Sequence, residues 1–268
     1  MENIYIIGYI LALFVGVVLG VLGSGGSILS VPIFVYVMNV SPLLATAYSL
    51  FVVGITALVG GIQKAKQQLV DYRNTLLFGI PTLLTVFLTR KFLVPNIPDI
   101  MVISDGFKIH KSVLIMAVFA VVMIFSAIRM IVPIKEKNTL ILPETYYYKI
   151  AFRGIIIGLI SGFVGAGGGF LIIPALVFMG RLPMKIAVGT SLLIVSAQSL
   201  IGFLGDIQVN QPMDWQMLGL FTIFSVIGIV IGNNVAKKIN SEKLKIAFGW
   251  FVLTMGSYIL IKEIFFSN

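Results

Sequence analysis

Charged residues are confined to short stretches of this chain, and the apolar runs between them set its architecture. No Asp, Glu, Lys or Arg occurs from Asn3 to Gln63, and further uncharged windows span Asn74–Thr89, Ser112–Ile128, Gly154–Gly180, Ile186–Gly205, Trp215–Ala236 and Ile246–Ile261. A helix needs about 20 apolar residues to cross the hydrocarbon core of a bilayer, with a usable range starting near about 17. Several windows fit one crossing, and the first is long enough for two or three. The runs are continuous rather than alternating, which excludes a membrane barrel. The pattern predicts an all-α polytopic membrane protein with about 8–10 transmembrane segments.

A framework of glycines and prolines recurs along these runs. Gly16-x-x-x-Gly20-x-x-Gly23-Ser24-Gly25-Gly26 runs on to Pro32, and Gly158-x-x-x-Gly162-x-x-Gly165-Ala166-Gly167-Gly168 runs on to Pro174, each position offset by 142 residues. The register continues: Ala45, Ser49, Leu50, Leu58 and Gly60 match Ala187, Ser191, Leu192, Leu200 and Gly202. One residue later, Val70-Asp71-Tyr72 answers Met213-Asp214-Trp215. A shared apolar composition would scatter such matches, so the chain is read as an internal duplication. The homologous halves are 1–134 and 150–268, joined by a cytoplasmic linker, 135–149.

Charge decides how the halves are related. Basic residues collect in cytoplasmic loops. An even number of crossings per half puts nine Lys/Arg on one side and ten on the other. An odd number adds Ile28–Met38 as a crossing, or folds Ile4–Met38 into a re-entrant hairpin. It gathers fourteen, including Lys64, Lys66, Arg73, Lys185, Lys237 and Lys238, on one side and leaves five opposite. The bias favours inverted repeats with both termini outside, and an external insertion at 90–111 that has no counterpart in the second half.

Composition narrows the chemistry. Apolar types make up 59% of the 268 residues, charged types 11%, and the mean hydropathy is +1.07, whereas a soluble domain carries about 25% charged residues. The net charge of +9 belongs to cytoplasmic loops, and no nucleic-acid partner is expected. Met1-Glu2-Asn3 lacks the basic start of a signal peptide, so the first segment is expected to stay. There is no cysteine, which removes disulfides, thiolate metal sites and thiol catalysis. Neither a metal nor a cofactor is expected.

The glycine clusters are the leading site candidates. Gly23, Ser24, Gly25, Gly26 and Ser27, and again Gly165, Gly167, Gly168 and Gly169, interrupt long apolar runs. Unwound backbone at membrane depth is tolerated only where it is buried or lines a wet cavity. A helix restarting after such a break points free N–H groups and its positive dipole end into that cavity, which suits an anion. Paired Gly/Pro-interrupted segments mark transporter sites. Among polar residues within the spans, Ser49 and Ser191 are repeat-related, Thr190 adjoins them, and Gln198 is costly to bury unless paired. No carboxylate lies deep in a span, which favours an anionic or neutral substrate over a cation. Asp71 and Asp214, at span ends, are read as helix caps. The only histidine, His110, lies in the insertion; an intramembrane serine protease is therefore excluded and no enzyme activity is expected.

The repeated glycine motif, the following Ala-x-x-x-Ser-Leu and the Asp preceding Tyr or Trp resemble the sulfite exporter TauE/SafE family over nearly the whole chain. The resemblance implies a secondary transporter of the bacterial cytoplasmic membrane that moves sulfite, sulfonates or related sulfur-containing anions. Ser27, where the second copy has Gly169, and the insertion depart from the family pattern. An anion or solute channel and a non-transporting membrane scaffold remain alternatives. A coupling proton or ion and a homo-oligomer are compatible with the sequence.

Overall fold

A computed structural model of the chain describes residues 2–23, 27–98, 100–104, 107–132, 145–164, 169–178, 182–206 and 213–266. The first half contains α1 (Glu2–Leu22), α2 (Ser27–Pro32), α3 (Pro42–Lys66), α4 (Tyr72–Leu88) and α5 (Lys111–Ile131). The second contains α6 (Thr145–Val164), α7 (Gly169–Phe178), α8 (Met184–Asp206), α9 (Trp215–Ala236) and α10 (Ser241–Phe266). Helices α1, α3, α4, α8 and α9 are long and apolar enough to cross a membrane, and shorter apolar stretches lie in α5, α6 and α10. The protein is a multi-pass helical membrane protein.

Its outer face is built for lipid. On α4, Leu76, Ile80, Leu84 and Leu88 recur every fourth residue and are all exposed, forming one continuous apolar stripe. On α9, Ile223, Ile227, Ile231 and Val235 do the same. Hydroxyl and amide side chains take the interior instead. Ser225 Oγ of α9 donates to the Ala12 carbonyl of α1 at 3.0 Å, and Asn233 Nδ2 of α9 donates to Gln63 Oε1 of α3 at 2.7 Å.

Each glycine cluster separates a long helix from a short one. A methyl group on Gly8 would stand 3.1 Å from the Met38 sulfur, so α2 and its π-helical continuation Ile33–Val37 return alongside α1 as a hairpin. Phe34 seats this return in the core, with its ring 4.4 Å from Phe221 and 5.5 Å from Tyr48.

Packing between the halves is reciprocal. Helix α1 packs most extensively on α9, and α4 on α6; α3 packs on α8, and α5 on α10. Gly16 abuts Ser225 and Gly228, while Gly20 abuts Ile229 and Asn233, so α1 and α9 run parallel. Gly158 abuts Thr82 and Gly162 abuts Thr89, so α6 and α4 do as well. In contrast, Gly54 meets Leu200 and Gly61 meets Leu193, so α3 and α8 run antiparallel. Gly249 beside Met130 and Gly256 beside Met123 make α5 and α10 antiparallel too. The hydrogen bonds at the caps repeat this exchange. Asp71 and Asp214 accept from the N–H groups of Asn74 and Met217, each at 2.9 Å. The Asp71 N–H donates to Thr190 Oγ1 at 2.9 Å, and the Asp214 N–H donates to the Tyr48 hydroxyl at 2.6 Å. Tyr48 and Thr190 are separated by the 142-residue offset.

The insertion and linker differ from the sequence expectation. Residues 90–93 continue α4 as a π-helical turn, Thr89–Leu93, rather than opening a loop. Further on, β1 (Ile100–Ser104) and β2 (Phe107–His110) pair antiparallel, Ile100 opposite His110. The expected linker residues Thr145–Lys149 form the start of α6, and residues 135–144 lie outside the described residues.

Two substitutions test this packing. A Cβ on Gly16 would overlap the Ser225 carbonyl oxygen, whereas one on Gly219 has nothing within 4 Å. Gly16→Ala should therefore cost about 2 kcal/mol or more, and Gly219→Ala should be neutral or slightly stabilising, read from unfolding midpoints in mixed micelles. Asp214→Ala should cost about 1 kcal/mol through its lost cap, while Asp214→Asn retains most of the stability; equal losses in both would assign Asp214 a role that depends on its charge.

Candidate functional site

The seam between α3 and α8 is the polar centre of the molecule. These are the most buried of the five long spans. A Cβ on Gly60 would meet Leu192 Cδ1 at 3.4 Å, and one on Gly202 would meet Leu50 Cδ1 at 3.4 Å. Ser191, next to Leu192, is thus level with Gly60, and Ser49, next to Leu50, is level with Gly202. The two serines stand about 16 Å apart along the seam, eleven residues at 1.5 Å rise. Thr56 and Gln198, themselves related by the 142-residue offset, come level between them.

All four side chains are fully buried. Ser191 Oγ donates to the Val188 carbonyl at 2.8 Å. Gln198 Nε2 donates to Ser161 Oγ of α6, which supplies the partner a buried amide requires. The hydroxyls of Ser49, Thr56 and Ser199 have no hydrogen-bond partner among the described residues. A hydroxyl buried without a partner is costly and is open to a ligand. Thr190, also buried, is occupied by the Asp71 N–H and so supports the α4 cap.

Gly23 sits at the Ser191 end of this seam, buried and with φ +74°. That left-handed backbone suits glycine. A side chain here would also meet Ile173 Cδ1 at 2.8 Å, Val188 Cγ1 at 3.2 Å and Ser191 Oγ at 3.3 Å. The first break therefore rests on α7 and α8 of the other half, facing Ser191. Ser27 and Gly169 are the first residues of α2 and α7. Ser24, Gly25, Gly26, Gly165, Gly167 and Gly168 lie outside the described residues. The structure thus brings Gly23 and Ser191 together, but not Ser49 with Ser191; the polar groups form a ladder along the seam.

Several polar positions escaped the sequence reading. Thr56 carried a signal, being the repeat partner of Gln198, whereas Ser199 and Ser161 carried none beyond being polar. Lys64, Lys185 and Lys237 were grouped only by side. They line one partly open cavity of about 200 Å³, together with Val21, Leu69, Val188 and Ala236. Among the described residues the only buried charged side chains are Lys64 and Arg90, each 4% exposed. Both are cations, at opposite ends of the bundle. No cluster of His, Asp or Glu among the described residues could hold a metal ion.

Comparison with known proteins places this arrangement. A probable membrane transporter protein of Xylella fastidiosa is 31% identical over 250 residues, covering 92% of this chain and 91% of its own. One from Methanocaldococcus jannaschii is 26% identical, over 94% of this chain and 95% of its own, and one from Bacillus subtilis is 24% identical, over 89% of each. No solved structure is significantly similar. The sulfite exporter TauE/SafE family profile matches residues 8–259, so the chain belongs to the sulfite exporter TauE/SafE family of membrane transporters.

Proposed function

We propose that the protein is a secondary transporter of a small anion of the sulfite or sulfonate type. It works by alternating access between two inverted halves in a cytoplasmic membrane. The observation that carries the anion is the sign of the buried charge. Lys64 and Arg90 are both cations, and no Asp or Glu is buried among the described residues. A charge held inside a membrane protein is expensive and marks a substrate path by default. Two cations without a buried carboxylate favour an anion and disfavour a metal cation.

The antiparallel packing of α3 on α8 and of α5 on α10 supports the inverted arrangement. Equivalent helices related by an axis along the membrane normal would run parallel; an axis in the membrane plane reverses them. Rocking one half against the other around such an axis exposes the α3–α8 seam to each side in turn. The Thr56, Gln198 and Ser49 ladder would hand the anion along hydrogen-bond donors while it is stripped of water, with Ser191 joining them by turning its hydroxyl away from the Val188 carbonyl. The family's name, sulfite exporter, supports the substrate class. The end of the bundle that carries Lys64, Lys185 and Lys237 would be cytoplasmic.

Counterflow in proteoliposomes tests the mechanism. Labelled sulfite should accumulate transiently against a preloaded unlabelled pool, which a channel cannot produce. Ser191→Ala should weaken substrate affinity about tenfold. Ser196→Ala, which loses the same kind of back-bond to the Leu193 carbonyl, should leave it unchanged. Equal behaviour of the two variants would remove the Gly23–Ser191 contact from the path. Cysteines placed singly at Asn96 and Lys237 should be labelled from opposite sides of the membrane; labelling from one side would refute the inverted topology.

A further inference from the structure

We propose that Lys64, Lys185 and Lys237 form a separate binding site for a compact oxyanion, a sulfate-, sulfonate- or phosphate-like group, at the mouth beneath the Gly23 break. The three lysines come from three separate places in the chain: the end of α3, the start of α8 and the residue after α9. They line one cavity of about 200 Å³. That is smaller than the roughly 300–1,000 Å³ of pockets for drug-sized ligands and suits a small anion. Its other walls, Val21, Leu69, Val188 and Ala236, are apolar, and no carboxylate lines it.

Lys64 makes the site more than a basic patch. Its side chain is 4% exposed, and neither it nor Lys185 nor Lys237 has an ion-pair partner among the described residues. Gathering three ammonium groups around one buried position without a counter-charge is unfavourable, because like charges repel and burial removes water. A doubly charged oxyanion reverses both terms, accepting charge-assisted hydrogen bonds from each ammonium.

The local backbone is built to hold Lys64 there. The N–H of Leu69 donates to the Lys64 carbonyl at 3.0 Å and folds the α3–α4 turn back. Gly189 lets α8 pack directly on that turn, with the Lys64 Cβ 3.1 Å from where its own Cβ would stand. Val188 touches both the cavity and Gly23. The site therefore adjoins the Ser191 end of the seam, and it extends the transport reading by giving the anion a waiting position before the break.

The test uses the full chain in phosphatidylcholine nanodiscs, with sulfate as probe and titration calorimetry as readout. Lys64→Met should weaken sulfate binding by about tenfold or more, and the Lys185→Gln/Lys237→Gln double variant likewise. Lys64→Arg should stay within about threefold of the parent, since a guanidinium also donates charge-assisted hydrogen bonds to an oxyanion. Ser191→Ala should keep this binding although its counterflow falls. Parent-like sulfate binding by both Lys64→Met and the double variant overturns the proposal, as does absence of binding in the parent. Equal loss in Ser191→Ala and Lys64→Met also overturns it, assigning the anion to the seam alone and leaving the transport reading intact. Lysine-dependent binding in a parent that shows no counterflow keeps the site and sinks the transport reading. Replacing half the lipid with phosphatidylglycerol identifies the source: competition in the parent but not in Lys64→Met assigns the site to a lipid headgroup, and no competition assigns it to a soluble oxyanion.

Discussion

Acyl chains are as apolar as leucine, so helices in a bilayer gain nothing by burying leucine against one another, and close backbone approach has to hold them instead. This constraint runs through the whole molecule. Gly16 and Gly20 let α1 lie against the α9 backbone, and Gly158 and Gly162 do the same for α6 on α4. With the backbones this near, Ser225 can reach the Ala12 carbonyl and Asn233 can reach Gln63. The two glycine-seated pairs then flank the α3–α8 crossing, where the polar ladder and the Gly23 break are held.

The same contacts show what the sequence could and could not reveal. The long apolar runs were legible because hydropathy over a span is a sum, insensitive to partner identity. The capping roles of Asp71 and Asp214 were legible because a cap is local, three residues from its donor. The acceptors of their own N–H groups, Thr190 and Tyr48, lie 119 and 166 residues away. No local pattern could name them, although the matched offset of the two pairs is plain once the contacts are seen.

Site residues divide along the same line. Gly23 and Ser191 were picked out by repetition, and they meet because the break after α1 rests on α8 at Val188 and Ser191. Ser49 was picked out by the same repetition and stands about 16 Å from Ser191 along the seam. Repetition identifies equivalent positions, and an antiparallel crossing sends equivalent positions away from its centre to opposite ends. Only those at the crossing, Thr56 and Gln198, come level. The β1–β2 hairpin was hidden for a different reason. Its strands are only five and four residues long, too short for alternation to stand out beside helical runs.

The repeat read in the sequence does not extend to the lysines of the cavity. At the 142- and 143-residue offsets, Lys64 corresponds to Asp206, Lys185 to Leu43 and Lys237 to Val94. Under the proposed inverted arrangement, the helices that the two halves share give passage no preferred sense. Any rectification, a faster passage one way than the other, would then rest on what the halves do not share, these lysines and the β1–β2 hairpin among them. Three lysines facing an acid, a leucine and a valine give this scaffold a head and a tail.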